Sequence, residues 1–396
     1  MSTDIHFNYY FMKYLIFILL LFIISCSSNH KQRFVKDYPE PILLNMTDRV
    51  GGTPIYLNTL LSDFKLIQLE GAVGCYIKEA SRIRFLEDKI YIFDNVQNAL
   101  FMFNENGNFI KQIIQRGKGP GEAIDVVDFD IDRKNKRLLV LELIKKELLV
   151  YNLDGIFQFS LKNDFQSFYF SCLDSTTYAF YIGYFDPSFH NLHLTSEKGK
   201  PKVLLFPYPK DISSMIFQQS GGITNNPEGV LYCNACSNEI YQIDNEGNTY
   251  LKYKIDFGQN SWPEEQKFNF QEFLFTMSQL HLDYLQNNFK ENNDALIFPF
   301  QSGNRVQRAF YVKKTAVLYH IKNNLVNDVF YNVLSSPRGV TENGSFISVL
   351  DPLVVKDKLL MELKNGIAIH MDPKLQTAII NSNEQNSNLI LLLYSF

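Results

Sequence analysis

At 396 residues the chain has room for two or three ordinary domains, yet a closed repeat array can occupy that length as a single one. Aromatic residues make up 14%, nearly all Tyr and Phe, a composition suited to pleated, half-buried surfaces between packed sheets. A net charge of −4 with no Lys/Arg cluster excludes the basic footprint of a nucleic-acid binder, and only short flanks are poor enough in apolar residues to be disordered.

In chain order, the first element is the uninterrupted apolar run Leu15–Ile24, preceded by Lys13 and ended by Ser25-Cys26-Ser27-Ser28. A bilayer-spanning helix needs about 20 residues, so this run reads as the core of a signal peptide over 1–25 and not as an anchor. Ile23-Ile24-Ser25-Cys26 resembles the bacterial lipobox, which implies acylation of Cys26 as the first mature residue. Two palmitate-type chains plus an N-acyl chain would hold the protein on a membrane, whereas one chain alone binds marginally. The expected location is therefore the cell envelope, lipid-anchored to the outer membrane on its periplasmic or surface side. Ser27-Ser28-Asn29-His30-Lys31 offers no acidic cluster to favour the surface. Residues 1–11 contain no Lys or Arg, which points to Met12 as the start of translation. Residues 26–60 read as a lipidated tether, because His30–Thr53 is polar, carries Pro39 and Pro41, and lacks periodicity.

Phe64–Leu69 is a short strand, and residues 61–396 form the folded domain. Within Lys89–Glu122, Ile90–Phe93, Ala99–Phe103 and Phe109–Ile114 are apolar runs separated by Asp94-Asn95…Gln97-Asn98 and by Asn106-Gly107. That is a three-strand meander with a hairpin signal at its second turn. The pattern recurs at Leu138–Leu141, Glu142, Leu148–Tyr151 and Asp154-Gly155. It recurs again at Val230–Cys233, Asn234, Ile240–Ile243 and Glu246-Gly247, with a weaker copy at Tyr178–Ile182, Asp186, Leu192–Thr195 and Lys198-Gly199. Gly107, Gly155, Gly199 and Gly247 step by 48, 44 and 48 residues. A period in that range with several strands per copy indicates a β-propeller. Strands such as Ile90–Phe93 are apolar on both faces, as expected of a blade packed between two others.

After Asp256-Phe257-Gly258 the pattern breaks. Ser261-Trp262-Pro263-Glu264 has the form of a capping box, and Phe270, Phe273, Leu274, Met277, His281 and Tyr284 follow helical spacing. A helical insertion is therefore expected over about 262–289. Strands return at Leu296–Phe300, Gln307–Lys313, Val317–Ile321 and Ser345–Leu350, and two helices are expected at Pro352–Leu363 and Pro373–Ile380. The chain ends in the bare apolar strand Asn388–Tyr394, an aggregation hazard unless paired. Phe64–Leu69 is its expected partner, closing one blade from both ends of the chain. About 330 residues follow position 64, and setting aside roughly 60 helical ones leaves about six units at this period. The expected fold is all-β: a six-bladed β-propeller with short helical insertions.

The run over 82–132, with its connector Gly117-Lys118-Gly119-Pro120-Gly121-Glu122, resembles the six-bladed β-propeller lipoproteins of Gram-negative gut-type bacteria, within the NHL- and TolB-like propellers. The likeness extends to Asp256-Phe257-Gly258…Pro263-Glu264 and to Phe310–His320, covering 64–396. The usual Asn-Pro before the last strand is here Asn386-Ser387-Asn388. The resemblance implies fold and location; it brings no catalytic residues or substrate.

Gly117–Glu122 leads into a strand and not a helix, so it reads as a tight turn and not as a phosphate-binding loop. In a four-stranded blade the second-to-third-strand turns share a face with the connectors between blades. That face would gather Asp94, Asn95, Asn98, Arg116, Lys118, Glu122, Glu142, Lys145, Asp186, Asn234 and Asn238 into a polar rim, the candidate binding surface, unless each residue serves only its own turn. Cys233 and Cys236 flank a tight turn and are a candidate disulfide; Cys75 and Cys172 read as core residues. His190 and His193 lie three apart on a strand and point to opposite faces, so no metal site is implied, nor is a cofactor. Neither a nucleophile elbow nor a zinc-helix motif occurs. The expected function is a membrane-anchored, monomeric, non-catalytic binding or assembly module for a glycan, peptide or partner protein. The alternative is a carbohydrate-active hydrolase or lyase using acidic residues in the central channel, which requires carboxylates, or a carboxylate with His or Arg, converging there.

Overall fold

A computed structural model describes residues 38–396 apart from 48–53, 72–73, 175, 184–186, 197–198, 210–221, 235–236, 245, 262–281, 304, 321–324, 331–334 and 386. The signal peptide, Cys26 and the start at Met12 lie outside the described residues.

Six antiparallel sheets make six blades, each running from an inner strand to an outer one. The first blade comprises Ala80–Leu86, Lys89–Asp94, Ala99–Asn104 and Phe109–Gln112. The second comprises Val126–Asp132, Arg137–Glu142, Glu147–Asn152 and Phe157–Lys162. The third is Tyr169–Cys172, Thr177–Tyr181, His190–Ser196 and Pro201–Pro207, and the fourth Gly222–Asn226, Gly229–Cys233, Glu239–Ile243 and Thr249–Asp256. In the fifth, the short inner strands Tyr284–Leu285 and Lys290–Glu291 both pair with Ala295–Ser302, followed by Arg305–Val312 and Val317–His320. The sixth is Gly339–Val340, Phe346–Leu350, Ser387–Ser395 and, from the other end of the chain, Asp63–Glu70. The inner strands touch in cyclic order, sixth to first included, so the array is a ring. The expected closure forms: Phe64 pairs with Tyr394, Leu66 with Leu392 and Gln68 with Ile390 in an antiparallel ladder.

The hydrophobic core is divided among the interfaces between blades. Along Arg137–Glu142, Leu138 and Val140 pack toward the first blade while Leu139 and Leu141 pack toward the third. Along Lys89–Asp94, Tyr91 and Phe93 face the second blade, and Ile90 and Ile92 face the sixth. Successive side chains leave a strand on opposite faces, and here both faces are buried, so the strand is apolar throughout instead of alternating.

Two helices decorate the sixth blade between its second and third strands: α1 (Pro352–Lys364) and α2 (Pro373–Ile380). Each begins Asp-Pro: Asp351 and Asp372 accept first-turn N–H groups, and proline sits where no N–H is needed. Leu359, Leu375 and Ile379 bury the helices against the fifth and sixth blades.

Two expectations need correction. Of the helical insertion, 262–281 lie outside the described residues, but Tyr284–Leu285 is strand, pairing with Gln301 and Phe300, and Leu285 and Phe289 fill the interface between the fourth and fifth blades. The tether, likewise, is not free over its whole length. Ile42–Asn45 adds a parallel strand to the outer edge of the fourth blade, Tyr38 stacks on Tyr250 with ring centroids 4.2 Å apart, and Ile55–Tyr56 pairs with Leu325–Val326.

Candidate functional site

The polar rim expected from the sequence is present as a face, and its buried carboxylates are engaged by nearby backbone N–H groups. Asp94 is fully buried and accepts the N–H groups of Lys78 (2.6 Å), Val96 (3.0 Å) and Gln97 (3.0 Å), tying the chain entering the first blade to the turn after its second strand. Glu142 repeats the arrangement in the second blade: it accepts from Ile124 and Asp125 at 3.3 Å each and from Lys145 N–H. Lys145 Nζ donates to Glu122 O at 2.9 Å, and Glu122 Oε2 accepts from Gly119 N–H at 2.8 Å. A Cβ on Gly117 would lie 2.0 Å from Glu122 Oε2, and Gly121 takes φ +73° with its Cβ direction closed by Phe157, so the glycine-rich connector is a packed turn. Asn98 adopts the left-handed φ of 52° in the turn it shares with exposed Asn95, while Arg116 and Lys118 are exposed on the connector. Asn234 accepts from Asn191 Nδ2 at 3.1 Å and from the Tyr232 hydroxyl, and Asn238 accepts from Leu285 N–H at 3.2 Å. Asp186 and Cys236 lie outside the described residues; Cys233 is buried, its sulfur 3.1 Å from Asn234 O.

The opposite face, where the first-to-second-strand turns lie, holds a cavity of about 790 Å³ at the mouth of the central channel. All six blades contribute, through the ends of their inner strands: Arg84, Asp130, Cys172, Asn225, Glu291 and Val340. Cys172, read from the sequence as a core residue, is half-buried on this wall, and burial, with Asp130 and Asp132 nearby, holds its thiol well above the usual range.

The channel is charged. Arg82 pairs with Asp128 at 2.9 Å and Arg84 with Asp130 at 2.7 Å, crossing from the first blade to the second. The same carboxylates reach the third blade: Asp128 accepts Phe170 N–H at 2.9 Å and Asp130 accepts Cys172 N–H at 3.0 Å. Arg82 also donates to Phe170 O at 2.9 Å. Glu291, fully buried, is held by Lys313 at 2.7 Å, Lys252 at 3.1 Å and the Tyr253 hydroxyl.

Environment separates these acids. Burial pushes Asp128 up to about 6 despite Arg82 beside it. Burial would also raise Asp130 and Glu291, but Arg84 and Arg82 around the first, and Lys252 and Lys313 around the second, hold both below the usual carboxylate range. Lys290 is the converse case: burial, then Arg82, Arg84 and Arg338, press its amine well below the usual lysine range. Among the described residues no group of three or more His, Cys, Asp or Glu side chains is placed to hold a metal ion.

The signal for this site stands in the sequence. Arg82 and Arg84 alternate in the inner strand of the first blade, and Asp128, Asp130 and Asp132 in that of the second, at the period that puts them on one face. Charges at that spacing inside otherwise apolar strands mark the channel wall.

A search of curated proteins finds no match to the chain. Among solved structures, the chain is similar to a Bacteroides fragilis protein whose name assigns it to the exported class, with 20% identity and a TM-score of 0.74 over 90% of this chain and 99% of that one. It is also similar to a member of the DUF4221 family from Bacteroides vulgatus, with 11% identity and a TM-score of 0.50 over 83% of this chain and 96% of that one. At such identities the likeness is one of fold. The family model described as Domain of unknown function (DUF4934) matches residues 44–395, from the edge strand on the fourth blade to the end of the closing ladder, and the chain belongs to that family.

Proposed function

We propose that this protein is a lipid-anchored, non-catalytic binding module of the cell envelope, and that its ligand enters the polar mouth of the central channel. The apolar run Leu15–Ile24 followed by Cys26 supports the anchor, and the exported class named for the Bacteroides fragilis relative agrees with it. The observation that carries the binding reading is how the channel carboxylates are held. Asp128, Asp130 and Glu291 are each tied to cations and to further N–H or O–H donors, which leaves them poorly placed to trade protons with a substrate. A cavity of about 790 Å³ is in the range that holds a small ligand.

Asn225→Leu tests the site. Its amide donates to Cys172 O at 2.9 Å and its carbonyl accepts from Ser171 at 2.5 Å, so the change alters the wall and keeps the volume. Thermal-shift titration against oligosaccharide and peptide panels is expected to find a ligand that stabilises the parent protein and loses at least tenfold in affinity for the variant. Equal affinity would move the site elsewhere. Turnover of any panel member, abolished by Asp130→Asn, would instead establish the hydrolase or lyase alternative. Labelling with radioactive palmitate, lost in Cys26→Ala, checks the anchor.

A further inference from the structure

Positive charge at the channel floor exceeds what the acids there neutralise. Lys290, from the fifth blade, is 7% exposed; its amine donates only to Phe289 O at 3.1 Å, and it meets no carboxylate among the described residues. The charges acting on it, Arg82, Arg84, Arg338 and Asp128, come from the first, sixth and second blades, and Lys290 itself lines the cavity. Arg338 has a buried Nε with no hydrogen-bond partner. Asp128 and Asp130 are already engaged by Arg82 and Arg84, and Arg338 is offset only by the field of exposed Glu79, so the Lys290 amine is left without an ion pair. Buried charge of one sign without a partner is costly, and a bound anion removes that cost. Arg84 and Lys290 line the cavity, while Arg82, two residues earlier on the same strand, lies one pleat deeper.

Resting on the binding reading above, we propose that this floor is an anion site and that the pocket takes an acidic sugar, whose carboxylate docks on Lys290 and Arg84. The walls explain the rest of the ligand. Asn293 and Asn343 offer amides and Asp132, Asp294 and Glu342 offer acceptors to sugar hydroxyl groups, and among the described residues no aromatic side chain lines the cavity to take the apolar side chain of a peptide. A protein partner would need a surface of about 800 Å² and not a recess.

Calorimetric titration of the full mature chain with glucuronate and with glucose, in two buffers of different ionisation enthalpy, tests this. Glucuronate is expected to bind at least tenfold more tightly than glucose and with proton uptake, because an anion returns to Lys290 the proton that its surroundings disfavour. Lys290→Met should weaken glucuronate at least tenfold and abolish the uptake, and Lys290→Arg should retain binding. Failure of glucuronate to bind the parent protein, or equal binding to Lys290→Met, overturns the proposal; a neutral sugar or an acidic peptide that binds instead leaves the pocket itself standing. Should Lys290→Met not fold, acylation of Lys290 in the parent protein, mapped by mass spectrometry, replaces it. Glucuronate but not glucose must slow that reaction, and equal rates overturn the anion site.

Discussion

The two faces of the disc use polar residues in opposite ways. On the face of the connectors, Asp94, Glu142 and Glu122 find their partners within the same turn or the adjoining connector, so each is spent locally on backbone N–H groups. Around the channel, Arg82, Arg84, Asp128 and Asp130 sit in inner strands with no turn to serve, and their partners come from other blades. A polar side chain in a turn is satisfied by its neighbours in sequence, whereas one inside a strand must be satisfied across the fold or by a ligand. The first kind is explained by the fold alone; the second is the kind that a ligand can complete.

Substitutions sharpen this contrast. The largest effect is expected from Asp130→Ala, which strands the Arg84 guanidinium in the channel wall and should cost about 3–5 kcal/mol in urea denaturation. A loss under 1 kcal/mol would mean that the pair is wet and the channel open to bulk water. Next comes pH. Asp128 is raised to about 6, above its unfolded value, so the native state binds the extra proton. Stability from this group is therefore greatest below about pH 4 and declines as pH rises through 6. Measured against Asp128→Asn, which cannot titrate, the parent protein should lose about 2–3 kcal/mol between pH 4 and pH 7. A difference that grows in the parent's favour over that range would show that Arg82 outweighs burial. Asp130 and Glu291, held low, contribute the opposite trend, losing their stabilisation as pH falls through their folded values, but they are common to both proteins and cancel.

On the connector face the effects are smaller and structural. Asp94→Ala should cost about 1–3 kcal/mol by leaving the N–H groups of Lys78, Val96 and Gln97 without this acceptor, with ligand affinity unchanged once the protein is folded. Affinity lost in proportion would restore that face as a binding surface. Lys118→Ala, at an exposed tip, should stay within about 0.5 kcal/mol of the parent in both stability and binding.

Legibility in the sequence tracks how local the cause is. The hairpin and repeat signals at Gly107, Gly155, Gly199 and Gly247, and the Asp-Pro starts of α1 and α2, depend on neighbours a few residues away, and all can be read directly. The pairing of Phe64–Leu69 with the last strand is also readable, because a bare apolar strand needs a partner and few candidates exist. Tyr38 on Tyr250 and the edge strand Ile42–Asn45 are not readable: a short polar segment with Pro39 and Pro41 looks like linker until a distant blade offers it an edge.

The sequence by itself determined a ring of repeated, doubly buried sheets, since period and two-sided apolarity are properties of each strand alone. Which charged groups meet in the channel was decided only in three dimensions. Lys290, Arg338, Arg84 and Asp130 are scattered over four blades, and only closure of the ring brings their charges close enough to matter, because electrostatic interaction depends on distance and burial and not on position along the chain.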